Sequence, residues 1–67
     1  MLDYAALSAL AAVIREGSFE RAAQVLHVTP SAVSQRIRAL EERIGCALVV
    51  RAQPCLATET GRRLCQH

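Results

Sequence analysis

The strongest constraint on this fold is a pair of amphipathic segments that only three residues separate. The first segment begins at the helix-capping residue Ser18 and ends near residue 26 or 27. The second begins at Thr29 and Pro30, because a capping hydroxyl followed by proline is a strong start signal, and runs to about Ile44. Helices joined by so short a turn pack at an angle to each other and need a third element to close the core.

A helix upstream of this pair supplies the third side of the predicted core. It runs from about residue 2 or 3 to Glu16, with Leu7, Leu10 and Ile14 on one helical stripe, and Gly17 ends it. The other two helices carry apolar faces at helical spacing, formed by Ala22, Ala23 and Leu26 and by Val33, Ile37, Leu40 and Ile44. The three faces together predict a small helical bundle.

The pattern changes from helical to extended after Gly45. Residues 48–51 form a short stretch with two β-branched valines and predict a strand, Gln53 and Pro54 mark a turn, and residues 55–57 predict a second strand. Thr58 can cap a fourth helix that extends toward residue 67. The sequence therefore predicts a mainly α fold, in which a three-helix bundle is followed by a small β-hairpin and the start of a fourth helix.

Length and composition exclude several classes of protein. A chain of 67 residues can bury one small core and has no room for a cleft between two domains. The longest apolar stretch, residues 5–14, is about half of a membrane span and lacks the basic leader of a signal peptide. Cys46, Cys55 and Cys65 form no C-x-x-C pair, so we expect reduced thiols rather than a disulfide framework or a zinc site.

The third helix carries an unusual set of polar side chains. Ser31, Gln35, Arg38 and Glu42 lie opposite its core stripe, and Ser34 lies on the flank. Short or flexible hydrogen-bonding side chains near a helix N-terminus suit the base edges of the DNA major groove. All eight basic residues are arginine, the residue type that pairs with phosphates and guanine through two parallel hydrogen bonds, although a net charge of +2 does not by itself indicate nucleic acid.

Simpler interpretations compete with DNA binding. The polar residues of the third helix can be a solvated face, and Arg51 in the hairpin can be a surface residue rather than a contact to the DNA backbone or minor groove. A helical module that docks a protein partner is the alternative function, although it needs an exposed apolar groove. His27 has no Cys or His at ligand spacing, and a capping or terminal imidazole is the simpler interpretation of His27 and His67. No catalytic motif is present, so we expect no metal, cofactor or enzymatic activity.

Several stretches of the chain together resemble the N-terminal domain of bacterial LysR-type transcriptional regulators. These are SFERAA from Ser18, TPSAVSQRIRALE from Thr29, the hydrophobic strand that ends in Arg51, and the threonine-to-glycine helix start from Thr58 to Gly61. The resemblance covers nearly the whole chain. Within the family, the chain is most similar to the ArgP/LysG group, the regulators of basic amino-acid export.

The resemblance implies a winged helix-turn-helix domain over residues 1–57 that binds promoter DNA. It places the helix-turn-helix over residues 19–38, the third helix in the major groove, and Arg51 in a wing over residues 48–57. The side chains implied to face DNA are Thr29, Pro30, Ser31, Ser34, Gln35, Arg38 and Arg51. The chain departs from the family at residues 54–56, where Pro, Cys and Leu occupy the stretch in which most members carry a basic wing residue. We therefore expect weaker binding of the wing tip to the minor groove.

Regulators of this family are longer and carry a dimerising linker helix and an effector-binding domain. The resemblance implies that residues 58–67 begin the linker helix, that the protein works in the cytoplasm as a homodimer, and that its effector is lysine or arginine. We expect the chain as given to be a fragment or a truncated reading frame. Such a chain would be a monomer or weak dimer that binds one DNA half-site and senses no effector.

Overall fold

The computed structural model describes residues 4–66 and has the predicted mainly helical architecture. Its elements in chain order are α1 (Tyr4–Glu16), α2 (Phe19–Leu26), α3 (Pro30–Ile44), β1 (Val49–Val50), β2 (Leu56–Ala57) and α4 (Glu59–Cys65). The predicted start of the first helix at residue 2 or 3 and the predicted end of the fourth at residue 67 lie outside the described residues. None of the helices in the described part is both long and apolar enough to cross a membrane.

Side-chain caps set the starts of α2 and α3, as the sequence predicts. The Ser18 hydroxyl oxygen accepts hydrogen bonds from the amides of Glu20 and Arg21, at 3.1 and 3.2 Å. The Thr29 hydroxyl oxygen accepts one from the amide of Ala32 at 3.1 Å, and the proline that follows needs no partner because it has no amide hydrogen. These local bonds fix where the two helices begin.

The turn between α2 and α3 depends on a left-handed residue, His27. Its φ of 59° and ψ of 41° lie in the region that glycine and asparagine favour. The His27 amide donates to the carbonyls of Ala23 and Gln24, and the Val28 amide donates to the Ala23 carbonyl at 3.0 Å. These bonds close the last turn of α2, so the chain reverses into Thr29 within three residues.

Replacing Ser18 with alanine is expected to lower the free energy of unfolding by about 1 kcal/mol, because two amides at the start of α2 lose their acceptor. Urea unfolding followed by circular dichroism measures the change. Ser8→Ala is the matched control, since it makes the same atomic change inside α1, where alanine is the better helix former. A Ser18→Ala protein as stable as its parent would contradict the capping role.

Small residues form much of the core where α1 meets the other helices. The stripe predicted for α1 faces the core, with Leu10 fully buried and with Leu7 and Ile14 half-buried and packed against the core. Alanines widen the buried face of α1, because their small side chains let the neighbouring helix backbones approach more closely than leucine would. The buried residues of the first two helices are Ala6, Ala9, Leu10, Ala12, Val13, Ala22 and Ala23.

The predicted core face of α3 is confirmed for three of its four residues. Val33, Ile37 and Leu40 are at most 1% exposed, and Ile44 is half-buried at the end of the helix. Burying this stripe fixes the rotation of α3 about its axis. The opposite side of the helix is therefore turned outward.

The two strands are shorter than the sequence predicts. Val49 pairs with Ala57 and Val50 pairs with Leu56 in an antiparallel ladder, which leaves the ends of the predicted strands unpaired with each other. The Leu48 and Cys55 amides donate instead to Glu41 of α3 and to the Gly17 carbonyl between α1 and α2. The prediction of a hairpin is therefore confirmed, and the predicted strand ends are corrected.

The hairpin is tied to the helical bundle at both strands. The Leu48 amide donates to a carboxylate oxygen of Glu41 at 2.8 Å, next to β1. The Cys55 amide donates to the Gly17 carbonyl at 2.8 Å, next to β2. Because Glu41 lies in α3 and Gly17 lies between α1 and α2, these two bonds set the position of the hairpin relative to both helices of the turn.

The start of α4 packs on the hairpin through Thr58 and Gly61. The Thr58 hydroxyl accepts from the Gly61 amide at 3.1 Å and donates to the Ala47 carbonyl at 2.8 Å, and the Thr58 amide donates to the Leu48 carbonyl at 3.1 Å. A Cβ atom on Gly61 would overlap the Leu48 carbonyl oxygen. The segment from Thr58 to Gly61 therefore both starts α4 and brings its backbone into close contact with the backbone of Leu48.

The three cysteines are free thiols that differ in their surroundings. Cys55 is buried in the core, whereas Cys46 and Cys65 are exposed. Partial desolvation raises the pKa of the Cys65 thiol, so this group stays protonated at neutral pH.

Candidate nucleic-acid interface

The outward side of α3 brings most of the predicted site residues together. The core stripe of Val33, Ile37 and Leu40 holds the helix in one orientation, so the side chains on its far side face solvent. The exposed members of the predicted site on this helix and its cap are Thr29, Pro30, Ser31, Gln35 and Arg38, and Ser34 is half-buried on the flank.

The first turn of α3 is suited to an anionic or hydrogen-bonding partner. It carries the positive end of the helix dipole and no acidic side chain. The Thr29 hydroxyl oxygen caps the helix through the Ala32 amide, and a hydroxyl that accepts in this way still has its own hydrogen to donate. This end of the helix can therefore approach a phosphate or a base edge.

Arg38 supplies an exposed positive charge on this side of α3. Several other arginines among residues 4–66 are in ion pairs: Arg15 and Arg21 pair with Glu16, Arg51 with Glu41, and Arg63 with Glu59. Arg38 takes part in none of these pairs. Its guanidinium can therefore contact a phosphate or a guanine edge without giving up an internal ion pair.

Arg51, the predicted contact in the hairpin, is held by two side chains of the bundle. Its Nη2 atom is 3.6 Å from Oε1 of Glu41, and its Cζ atom is 4.7 Å from the centre of the Phe19 ring. The Arg51 side chain is 39% exposed, so part of the guanidinium still faces solvent. Arg51 thus lies directly after β1, where the hairpin loop begins, in contact with Phe19 of α2 and Glu41 of α3.

The sequence predicts Arg51 as a DNA contact but predicts neither of the residues that hold it. Glu41 and Phe19 occur in the family motifs, yet their roles depend on contacts between separate elements. Glu41 and Arg51 lie ten positions apart in different elements, α3 and the hairpin, so no single helical or strand period relates them. No local pattern could therefore have paired them.

The histidines and cysteines do not form a second site in the described part of the chain. Within residues 4–66, no group of three or more His, Cys, Asp or Glu side chains could hold a metal ion. His27 instead forms the left-handed end of α2. His67, the other histidine considered as a ligand, lies outside the described residues.

The chain matches a family model described as "Bacterial regulatory helix-turn-helix protein, lysR family" over residues 4–62. It is 58% identical, over all 67 of its residues, to the HTH-type transcriptional regulator ArgP of Pseudomonas fluorescens. The chain spans 22% of the length of that relative. The comparison thus agrees with the predicted resemblance and concerns one segment of a longer regulator.

Two solved structures share this fold over nearly the whole chain. Full-length LTTR LysG from Corynebacterium glutamicum with bound effector Arg has a TM-score of 0.92 and 50% identity, and the match covers 96% of this chain and 22% of that one. The BenM_DBD/benA site 1 DNA complex has a TM-score of 0.90 and 32% identity, and covers 96% of this chain and 73% of that one. These matches confirm the predicted winged helix-turn-helix fold.

Proposed function

Because this chain belongs to the LysR family of bacterial helix-turn-helix regulatory proteins, we propose that it binds double-stranded DNA sequence-specifically and controls transcription. One observation carries the proposal: α3 buries the stripe of Val33, Ile37 and Leu40 and turns a polar side, with a positive first turn, to solvent. An α-helix that is rigidly anchored and polar on its outer side fits the major groove. In this proposal α3 is the recognition helix.

Gln35 is the residue that we expect to specify a base. A glutamine amide can pair with both hydrogen-bonding atoms of an adenine edge, and Gln35 is exposed in the middle of the outward side. Ser31 and Ser34 lie one turn or less away on α3. Their short side chains let the helix approach the bases closely and can bond to any of them.

Backbone contacts would hold α3 in register on the duplex. Thr29, Arg38 and Arg51 carry the donors that suit phosphate oxygens, and Pro30 offers an apolar surface to a sugar or to a thymine methyl group. Phosphate contacts carry no sequence information directly, so we expect variants at these positions to weaken binding to all duplexes alike.

We further infer how the domain works within a longer regulator. Residues 1–57 would form the DNA-binding unit, and residues 58–67 would begin a linker helix through which two copies pair. The bound arginine in the LysG structure supports a basic amino acid as effector, held by a separate part of the protein, and control of the transport or metabolism of that amino acid. Such a regulator would act in the cytoplasm and catalyse no reaction.

Fluorescence anisotropy across a salt series tests the proposed function. The chain is titrated into a labelled AT-rich promoter duplex and into a scrambled duplex of equal length. We expect tighter binding to the promoter and a fall in affinity with salt, because neutralised phosphates release counterions. Equal binding to both duplexes would contradict the proposed sequence specificity. No binding at low salt would favour the alternative, a helical module that docks a protein partner.

Replacing Gln35 with alanine is expected to reduce the preference for the correct base by about 10- to 100-fold, because a paired hydrogen bond to one base is lost. Competition of the bound promoter with single-base variants measures this preference. Ser34→Ala is expected to relax it less, since serine bonds to any base. Gln24→Ala is the control, because it makes the same change at an exposed position of α2. An unchanged base preference in Gln35→Ala would reject the assigned role.

A further inference from the structure

Three side chains from three different elements form a cluster where the hairpin loop begins. Arg51 follows β1, Glu41 lies in α3, and Phe19 begins α2. The guanidinium of Arg51 lies over the Phe19 ring, with 4.7 Å between Cζ and the ring centre, and one of its nitrogens is 3.6 Å from the Glu41 carboxylate. These contacts lie on one face and one edge of the guanidinium, and the Arg51 side chain is still 39% exposed.

Both partners of Arg51 are themselves held in place. The second carboxylate oxygen of Glu41 accepts the Leu48 amide at 2.8 Å, and the Glu41 side chain is 17% exposed. Phe19 is half-buried and packs against the hydrophobic core. Arg51 therefore contacts two side chains that the fold already holds in place in the free protein.

We propose that Glu41 and Phe19 are positioning residues that hold Arg51 as a preorganised DNA contact of the hairpin. The proposal rests on the DNA-binding function proposed above. A guanidinium has five N–H donors in a rigid fork, so one edge can face Glu41 while the others reach a phosphate oxygen or the minor groove. An arginine that is already ordered loses less side-chain entropy when it binds.

The sign of one substitution separates positioning from simple electrostatics. A carboxylate close to DNA repels the phosphates, so the removal of its charge tightens binding if charge is all that matters. If Glu41 instead holds Arg51 in place, the removal of its charge frees the arginine and weakens binding. The two explanations predict opposite changes in affinity for Glu41→Gln.

Glu41→Gln is the informative variant because it keeps an oxygen that can accept the Leu48 amide. We expect its affinity for the promoter duplex to fall about three- to tenfold, the range that the ordering of one long side chain accounts for. Glu42→Gln is the matched control, since it removes the same charge from the neighbouring, exposed residue of α3 and should leave affinity unchanged or raised. Phe19→Leu keeps apolar bulk but removes the ring, and should weaken binding in the same way as Glu41→Gln.

A double-mutant cycle with Arg51→Ala identifies the residue through which Glu41 acts. Arg51→Ala should weaken binding to all duplexes and flatten the salt dependence, and in its background Glu41→Gln should no longer weaken binding. The proposal is overturned if Glu41→Gln binds as tightly as the parent or more tightly, or if it weakens binding equally in the absence of Arg51. Thermal melting of each variant verifies that the compared proteins are folded.

A measurement on the free protein tests whether Arg51 is held in place, independently of whether the chain binds DNA. The heteronuclear NOE of the Arg51 Nε–Hε group should be high in the parent and should fall in Glu41→Gln and Phe19→Leu. A low value in the parent would overturn the proposal even if the chain binds DNA. A high parent value that the variants lower, in a protein that binds no duplex, would support the holding contacts and reject the proposed DNA-binding function.

Discussion

Gly61→Ala should destabilise the domain by about 3 kcal/mol, at the upper end of what an overpacked core position usually costs. The Cβ atom of alanine would overlap the carbonyl oxygen of Leu48 and lie 3.0 Å from its carbonyl carbon. Neither obstacle can move as a flexible side chain can, because the Leu48 carbonyl also accepts the Thr58 amide at 3.1 Å. The start of α4 would have to separate from the hairpin.

Helix propensity predicts the opposite result for this variant, which makes the measurement decisive. Gly61 lies inside α4, where alanine is intrinsically favoured over glycine by about 1 kcal/mol. Urea unfolding of the parent and of the variant gives the difference. Gly45→Ala is the comparison, because its Cβ would meet nothing within 4 Å but would require a φ of 88°, so we expect a loss of only about 1–2 kcal/mol. A Gly61→Ala protein as stable as its parent would refute the backbone contact.

The helix starts could be predicted because their causes are local. Ser18, Thr29 and Thr58 each cap a helix through an amide two or three residues further along the chain, so the signal lies within one stretch of sequence. The periodic stripe of α3 is local in the same sense, and it fixes which side of the helix is outward. The site residues on α3 follow from that stripe.

The features that the sequence could not predict are contacts between distant elements. Gly61 is needed because it meets Leu48, and its predicted role as part of a helix start does not reveal that contact. The buried side of α1 includes Ala6, Ala9 and Ala12 beside the predicted stripe, because the approach of α2 and α3 decides which residues are covered. The strand ends bond to Glu41 and Gly17 and so fall short of the predicted lengths.

Ser31→Glu should reduce affinity for the promoter duplex by at least about 100-fold, because a like charge placed against the phosphates costs several kcal/mol. Ser31 is exposed in the first turn of α3, on the side proposed to enter the major groove. The longer side chain would also hold the helix away from the base edges, and a carboxylate accepts hydrogen bonds but donates none. Anisotropy titration at low salt measures the loss.

The same substitution should leave folding intact, which separates a binding effect from a stability effect. The first turn of α3 has no acidic residue, and a carboxylate there stabilises the helix dipole by about 0.3–1 kcal/mol. The melting temperature of Ser31→Glu should therefore equal or exceed that of the parent. Gln66→Glu is the control for net charge, since it adds a carboxylate at the far end of α4. If Ser31→Glu binds as tightly as Gln66→Glu, the start of α3 does not contact DNA, and another surface must be sought.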